Sequence, residues 1–296
     1  MVRSLLVLFL LPAALASAPR IEEQRKYALA PQSRWPQDNF RLDDYRFHRH
    51  DTYQAYDIYF SDPANELVGQ GLGLRLRKVL KGERPPEYVL QLKSEMDGAG
   101  GVRLEEESRE IDDQRIEGRR LTGIIDAIAA ARRALPEEER LLAAWMRRKM
   151  SSSLAPFQEL RRRKLGGLEL RPVVVGVSQR QRYHVYADRA AKVGPLMTLA
   201  DSEKNPLLTP PIFRTNTDWV WLFEASYDNS LFYSLVAARA PYRIEEVELE
   251  NKYRPRERGT QLLDRLEVLL VRELALRSET ESKFLRAYKQ LSKVTP

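Results

Sequence analysis

The segment that most constrains the fold lies near the C-terminus: Glu246-Val247-Glu248-Leu249-Glu250-Asn251-Lys252. Side chains of a strand point alternately to its two faces. Glu246, Glu248, Glu250 and Lys252 therefore share one face, and Val247 and Leu249 share the other. Three carboxylates in a row repel each other, so solvent, basic partners or a metal must offset them. The same alternation recurs upstream. Leu72, Leu74 and Leu76 oppose Arg75 and Arg77, and the run 88–93 gives Gln91 and Lys93 a polar face. After the glycine-rich turn at 98–101, residues 102–111 put Arg103, Glu105 and Glu107 on one side. A further strand at 180–188 offers Arg180 or Arg182. If such a sheet closes on itself with its leucines outward under helices, the basic and acidic groups meet inside. Guanidinium forks there suit a multivalent anion. Carboxylates suit a hard cation such as Mg²⁺ or Mn²⁺, which takes oxygen ligands.

Between the strand-rich stretches the period changes. Leu121, Ile124, Ile125 and Ile128 fall at helical spacing, and helical segments are expected from about 115 to 163. One begins at Pro136 with Glu137, Glu138 and Glu139 in its first turn and ends in Arg147, Arg148 and Lys149, an order that suits the helix dipole. Strands are expected at 171–175, 180–188, 219–227 and 242–252, with an irregular proline-bearing loop at 194–218. Leu262, Leu263, Leu266, Leu269 and Leu270 form a helical stripe, and Ser278 with Glu281 fits a capping box ahead of a last helix. The chain reads as two strand-rich halves, about 20–111 and 170–252, with a helical insertion at about 115–163 and helices at about 260–292.

At the N-terminus, Arg3 precedes an apolar run at 5–11 and the small-residue stretch 13–18. These are the marks of a secretory signal over residues 1–18, cleaved after Ala16 or Ala18. The run is shorter than the roughly 20 residues a bilayer span needs. An exported protein, periplasmic or secreted, is expected, with no stable membrane span. The absence of cysteine excludes thiol catalysis and thiolate metal sites. The net charge of +7 is spread rather than clustered, which suits an anionic partner but not nucleic acid.

Six short motifs, in order, resemble those of the CYTH family, also called triphosphate tunnel metalloenzymes. An opening E-x-E-x-K is similar to Glu22-Glu23-Gln24-Arg25-Lys26, with Gln24 in place of the second acid unless the register slips to Glu23. A Y-[YF]-D-T-P turn and L-R-[LI]-R strand resemble Tyr59-Phe60-Ser61-Asp62-Pro63 and Leu74-Arg75-Leu76-Arg77, with Ser61 replacing an aspartate. The strands around Lys93 and Arg103–Glu107, the pair Arg180 and Arg182 before Tyr183, the strand Glu246 to Lys252, and Ser282-Lys283-Phe284 complete the set.

The resemblance implies an α+β fold, a closed antiparallel eight-stranded β-barrel or tunnel with helices packed outside, spanning 19–296. It implies phosphate binding by Lys26, Arg75, Arg77, Lys93, Arg103, Arg180, Arg182, Lys252 and Lys283. A metal, Mg²⁺ or Mn²⁺, would fall to Glu22, Gln24, Glu105, Glu107, Asp228, Glu246, Glu248 and Glu250, with Lys26 and Glu248 as catalytic groups. Asp228 reads equally as a turn aspartate. The implied function is metal-dependent hydrolysis of inorganic tripolyphosphate or an organic triphosphate. A non-catalytic polyphosphate-binding protein is the alternative, a nucleotide cyclase a more remote one, and a homodimer is allowed. A membrane β-barrel would share the alternation, but the amphipathic helices argue against it. His48 and His50 read as a surface strand pair, and Trp219 and Trp221 as core rather than a base-stacking platform.

Overall fold

The computed structural model of the protein describes residues 20–31, 33–94, 102–109, 111, 114–188, 219–252 and 256–292; at 20–23, 102–105, 188, 219–220 and 256–258 it describes the backbone alone. The signal segment expected at 1–18 and the loop expected at 194–218 lie outside the described residues.

The chain begins with strands β1 (Arg20–Leu29), β2 (Phe40–Leu42) and β3 (Tyr45–Ser61), the short helix α1 (Glu66–Gly69), and strands β4 (Leu72–Leu80), β5 (Glu87–Ser94) and β6 (Val102–Ser108). A small hairpin, β7 (Arg115–Ile116) and β8 (Arg119–Arg120), leads into helices α2 (Leu121–Ala131), α3 (Pro136–Lys149) and α4 (Ala155–Arg162). Strands β9 (Arg171–Asp188), β10 (Trp219–Ser234) and β11 (Tyr242–Asn251) follow. The end comprises helix α5 (Arg256–Leu274), strand β12 (Leu276–Glu279) and helix α6 (Lys283–Ser292).

Ten strands make one antiparallel sheet in the order β11-β10-β9-β3-β4-β5-β6-β1-β12, with β2 added to β3. Strand β1 also pairs with β11, Gln24 opposite Glu250 and Lys26 opposite Glu248. On its other edge β1 pairs first with β6 and then with β12. The sheet thus has ten strands rather than the expected eight, because β2 and β12 are too short to carry a sequence signal of their own.

The alternation does what its period requires. Leu74, Leu76, Leu90 and Leu92 turn outward onto α2, α3 and α4, packing with Ile124, Ile128, Trp145 and Phe157. Val247, Leu249 and Tyr27 pack under α5 against Leu262, Leu263, Leu266 and Leu270. Each such side chain, fully buried, contributes about 1.5–3 kcal/mol. A third apolar group gathers Tyr59, Phe232 and Ile244 of the sheet around Phe284, Ala287 and Leu291 of α6. Gly176 is needed there: a Cβ at that position would lie 2.8 Å from the Phe232 ring.

Several expectations change. Residues 115–120 form the β7–β8 hairpin rather than the start of a helix, since Gly118 supplies the positive φ of its turn. Strand β9 runs unbroken for 18 residues. Asp228 lies in mid-strand, opposite Arg180 and Glu246, and is no turn residue. Ser278 belongs to β12; the cap of α6 is Ser282, whose Oγ accepts the Leu285 N–H at 3.1 Å. In the glycine-rich run 69–73, Gln70 and Gly71 form the turn between α1 and β4, with Gly71 at φ 66°. Among the described residues no helix is long and apolar enough to cross a membrane.

Candidate functional site

The polar side chains of the alternating strands line a cavity of about 240 Å³. Its walls come from eight strands: Gln24 of β1, Tyr53 of β3, Arg77 of β4, Gln91 and Lys93 of β5, Glu107 of β6, Arg180 and Arg182 of β9, Glu224 of β10, and Glu248 and Glu250 of β11, with Lys252 just beyond. A smaller cavity of about 50 Å³ shares Lys93, Arg180 and Glu248 with it and adds Lys26, Tyr59, Arg75 and Lys283. Gln24 and Lys26 are both buried on this side, while Arg25 between them pairs on the other side with Asp264 and Glu267 of α5. The register therefore does not slip, and an amide stands where an acid was expected.

One group is built wholly from the sheet. Asp57 of β3 is opposite Arg77 of β4, and the two pair at 2.7 and 2.8 Å. Arg75 reaches the same carboxylate at 3.4 Å, the Tyr59 hydroxyl at 3.1 Å and Gln91 Oε1 at 2.9 Å. Gln91 then donates to Glu107 at 2.9 Å. Burial would raise the Asp57 carboxyl, but the charges of Arg75 and Arg77 outweigh it and hold the group well below the usual carboxylate range.

A second group joins β9, β10, β11 and α6. Arg180 donates to Asp228 Oδ1 at 2.6 Å and to Glu248 Oε2 at 2.8 Å. Lys283, the first residue of α6, pairs closely with Asp228 and lies 3.4 Å from Glu246 and 3.5 Å from Glu248. Arg286, one turn on, pairs with Glu246 and reaches Glu279 at 3.3 Å. Burial pushes the Asp228 carboxyl up, but Arg180 and Lys283 hold it below its ordinary range. Toward the Gln24 end, Arg182 bonds Asp51 at 2.7 Å and lies 3.6 Å from Glu224, and Lys252 pairs with Glu250.

Of the residues singled out from sequence, Gln24, Lys26, Arg75, Arg77, Lys93, Glu107, Arg180, Arg182, Glu248, Glu250, Lys252 and Lys283 line the two cavities. Asp228 and Glu246 lie directly behind, fully buried. The side chains of Glu22, Arg103 and Glu105 lie outside the described set; their backbones place Glu22 opposite Arg103 and Glu105 opposite Lys93. Sequence reasoning missed Asp57, Tyr59 as a hydroxyl donor, Glu224 and Arg286. Asp57 was detectable as a lone acid in the apolar run Tyr56-Asp57-Ile58, and Arg286 as the residue one turn beyond Lys283.

A sequence model of the CYTH domain matches residues 21–288. The chain belongs to the CYTH family. No curated protein matches it. Its fold is similar to that of a protein from Pyrococcus horikoshii, at 14% identity and TM-score 0.41, covering 91% of this chain and 99% of that one. It is also similar to a Hippeastrum protein described as an adenylyl cyclase candidate with a dominant triphosphatase activity, at 15% identity and TM-score 0.42, covering 93% and 97%. A third similar structure, an adenylate cyclase candidate from Bacillus halodurans, has 14% identity and TM-score 0.41, covering 90% and 97%. The family assignment rests on the sequence match alone.

CYTH membership implies a triphosphate ligand and a divalent metal. The cations of the cavity fit the first. The carboxylates, as arranged here, do not fit the second. Asp228, Glu246, Glu248 and Glu250 each carry at least one Lys or Arg partner, Glu107 is held by Gln91 and Arg109, and Gln24 is neutral. Among the described residues no three His, Asp or Glu side chains are disposed to hold a metal ion.

Proposed function

We propose that this CYTH chain binds a linear triphosphate in the charged cavity and hydrolyses it. The observation that carries this reading is the convergence of Arg75, Arg77, Lys93, Arg180, Arg182, Lys252 and Lys283, from β4, β5, β9, the end of β11 and α6, on one space. Forked guanidinium groups grip phosphate oxygens in pairs of hydrogen bonds, and lysines add point charge. The β1–β11 pairing supports a sheet that wraps the cavity as a tunnel, with the apolar group around Phe284 stopping one end.

Hydrolysis of a phosphoanhydride asks mainly for positioning and for charge opposite the developing oxyanions. Water attacks the terminal phosphorus, the bond to the bridging oxygen breaks, and phosphate and diphosphate separate. Glu248, held by Arg180 and Lys283 at the junction of the two cavities, is placed to take the proton of that water. Lys26, opposite it in β1, is placed to neutralise the attacked phosphate. The apolar run at residues 5–11 supports export.

The test is phosphate release from tripolyphosphate by the purified chain with Mg²⁺, with Mn²⁺ and with EDTA. Release supports the hydrolase. Tight binding without release under all three conditions would replace it with a polyphosphate-binding protein, the reading that Gln24 favours.

A further inference from the structure

We infer that Lys283 occupies the place of a divalent cation in this chain, so that a triphosphate is held by the protein's own cations without a resident metal. This rests on the reading of the cavity as a triphosphate site. Three carboxylates, Asp228, Glu246 and Glu248, surround the Lys283 ammonium, the last two at 3.4 and 3.5 Å. Carboxylate oxygens are the ligands a hard cation takes, and here they face an ammonium instead.

Two further cations complete the group. Arg180 bridges Asp228 and Glu248, and Arg286 pairs with Glu246. The three carboxylates around Lys283 thus meet three cations, one of which, Arg286, is shared with Glu279. Adding a divalent ion to these six groups would leave two positive charges in excess, and among the described acids nearby Glu250 is already paired with Lys252 and Glu279 with Arg286. Expelling Lys283 instead would strand its ammonium, since α6 is anchored through Phe284, stacked on Tyr59 at 4.5 Å between ring centroids, and through Ala287 and Leu291. Arg286 on the same helix would be pulled from Glu246 with it.

Gln24 points the same way independently. It is 4% exposed, faces the cavity, and its Nε2 is buried with no hydrogen-bond partner among the described residues. An orphaned amide donor asks for an acceptor, and a phosphate oxygen is one. As an amide it adds no negative charge to balance a cation. The position that would complete a ring of acids is thus turned toward the anion.

The decisive measurement is Mn²⁺ binding to the full chain without phosphate, followed by electron paramagnetic resonance, beside calorimetry of tripolyphosphate binding in EDTA and in Mg²⁺. The wild type should bind Mn²⁺ no more tightly than about 1 mM, the weak end of oxygen-ligand sites. Tripolyphosphate should bind in EDTA within about threefold of its affinity in Mg²⁺. Lys283→Met should uncover the acids and tighten Mn²⁺ binding by about tenfold or more, and adding Glu246→Gln should reverse it.

Micromolar Mn²⁺ binding by the wild type, lost in Glu246→Gln, overturns the inference. So does tripolyphosphate binding that EDTA abolishes. If Lys283→Met does not fold, the wild-type titration decides alone. If tripolyphosphate binds under neither condition, the triphosphate reading fails, and the Mn²⁺ titration still decides whether Lys283 fills a metal's place.

Discussion

Asp57 and Asp228 are two buried aspartates, each opposite an arginine on the neighbouring strand, yet they are held in different ways. Asp57 is fixed by the sheet alone: Arg77 lies directly across the β3–β4 ladder, and Arg75 two residues away closes over it. Asp228 shares Arg180 with Glu248 and takes its second cation from Lys283, on a helix outside the sheet. The first pair is as rigid as the ladder that sets its register. The second depends on how α6 docks, so its charge balance is adjustable without disturbing the strands. A phosphate chain bound as proposed would lie between one fixed wall and one that a helix completes.

That contrast can be broken. Asp57→Asn leaves two buried guanidinium groups uncompensated and should cost about 3–5 kcal/mol in urea unfolding. Asp228→Asn should cost less, about 1–3 kcal/mol, because Arg180 keeps Glu248 and Lys283 keeps Glu246 and Glu248. Equal losses would dissolve the distinction.

Glu248→Gln keeps the hydrogen-bonding shape of the α6-dependent wall while removing its proton acceptor. Phosphate release from tripolyphosphate should fall by about a hundredfold or more, with the unfolding midpoint near that of the wild type. Unchanged release in a folded variant would remove β11 from the chemistry. Ser282→Ala removes the cap of α6 and should cost about 1 kcal/mol. Because Lys283 follows directly, it should also weaken tripolyphosphate binding.

The smallest effect concerns acid. Asp57 and Asp228 titrate below the ordinary carboxylate value of 3.8, so their stabilisation is complete above that value and is lost as pH falls below it. His184 adds a separate step. Burial, then His50 stacked on it at 4.2 Å, and Arg182 push its pKa down from 6.5 to about 4. The unfolded chain therefore takes up that proton first, and stability should decline as pH falls from 6.5 to about 4. In His184→Gln the decline over that window should shrink while the loss below pH 3.8 persists, read by urea midpoints across pH.

Much of this was legible because period-two alternation is local: Leu74 and Leu76 against Arg75 and Arg77, or Val247 and Leu249 against Glu246, Glu248 and Glu250, need no knowledge of the partner strand. The burial of Gln24 and Lys26 follows from the same rule. What escaped depends on partners far along the chain. Asp57 becomes a site residue only because β4 brings Arg77 opposite it, and Arg286 only because α6 docks beside Glu246. Asp228 read equally as a ligand and as a turn residue because the strand signal weakens at Asp228-Asn229-Ser230, where the ladders to β9 and β11 hold the chain extended. Ser278 and Ser282 both precede the last helix, and only the pairing of β12 with β1 decides between them.

The stack of Phe284 on Tyr59 closes the charged space on the α6 side with an apolar floor. A linear ligand bound as proposed would then enter from the Gln24–Lys252 side, with its leading phosphate beside Lys283. Traffic in such a cul-de-sac is last in, first out: the fragment cut nearest the mouth departs at once, while the inner one waits for the way to clear. Turnover would then be set by the exit of the inner fragment, and because Glu248 lies beside Lys283 that fragment is phosphate, so added phosphate should compete with tripolyphosphate.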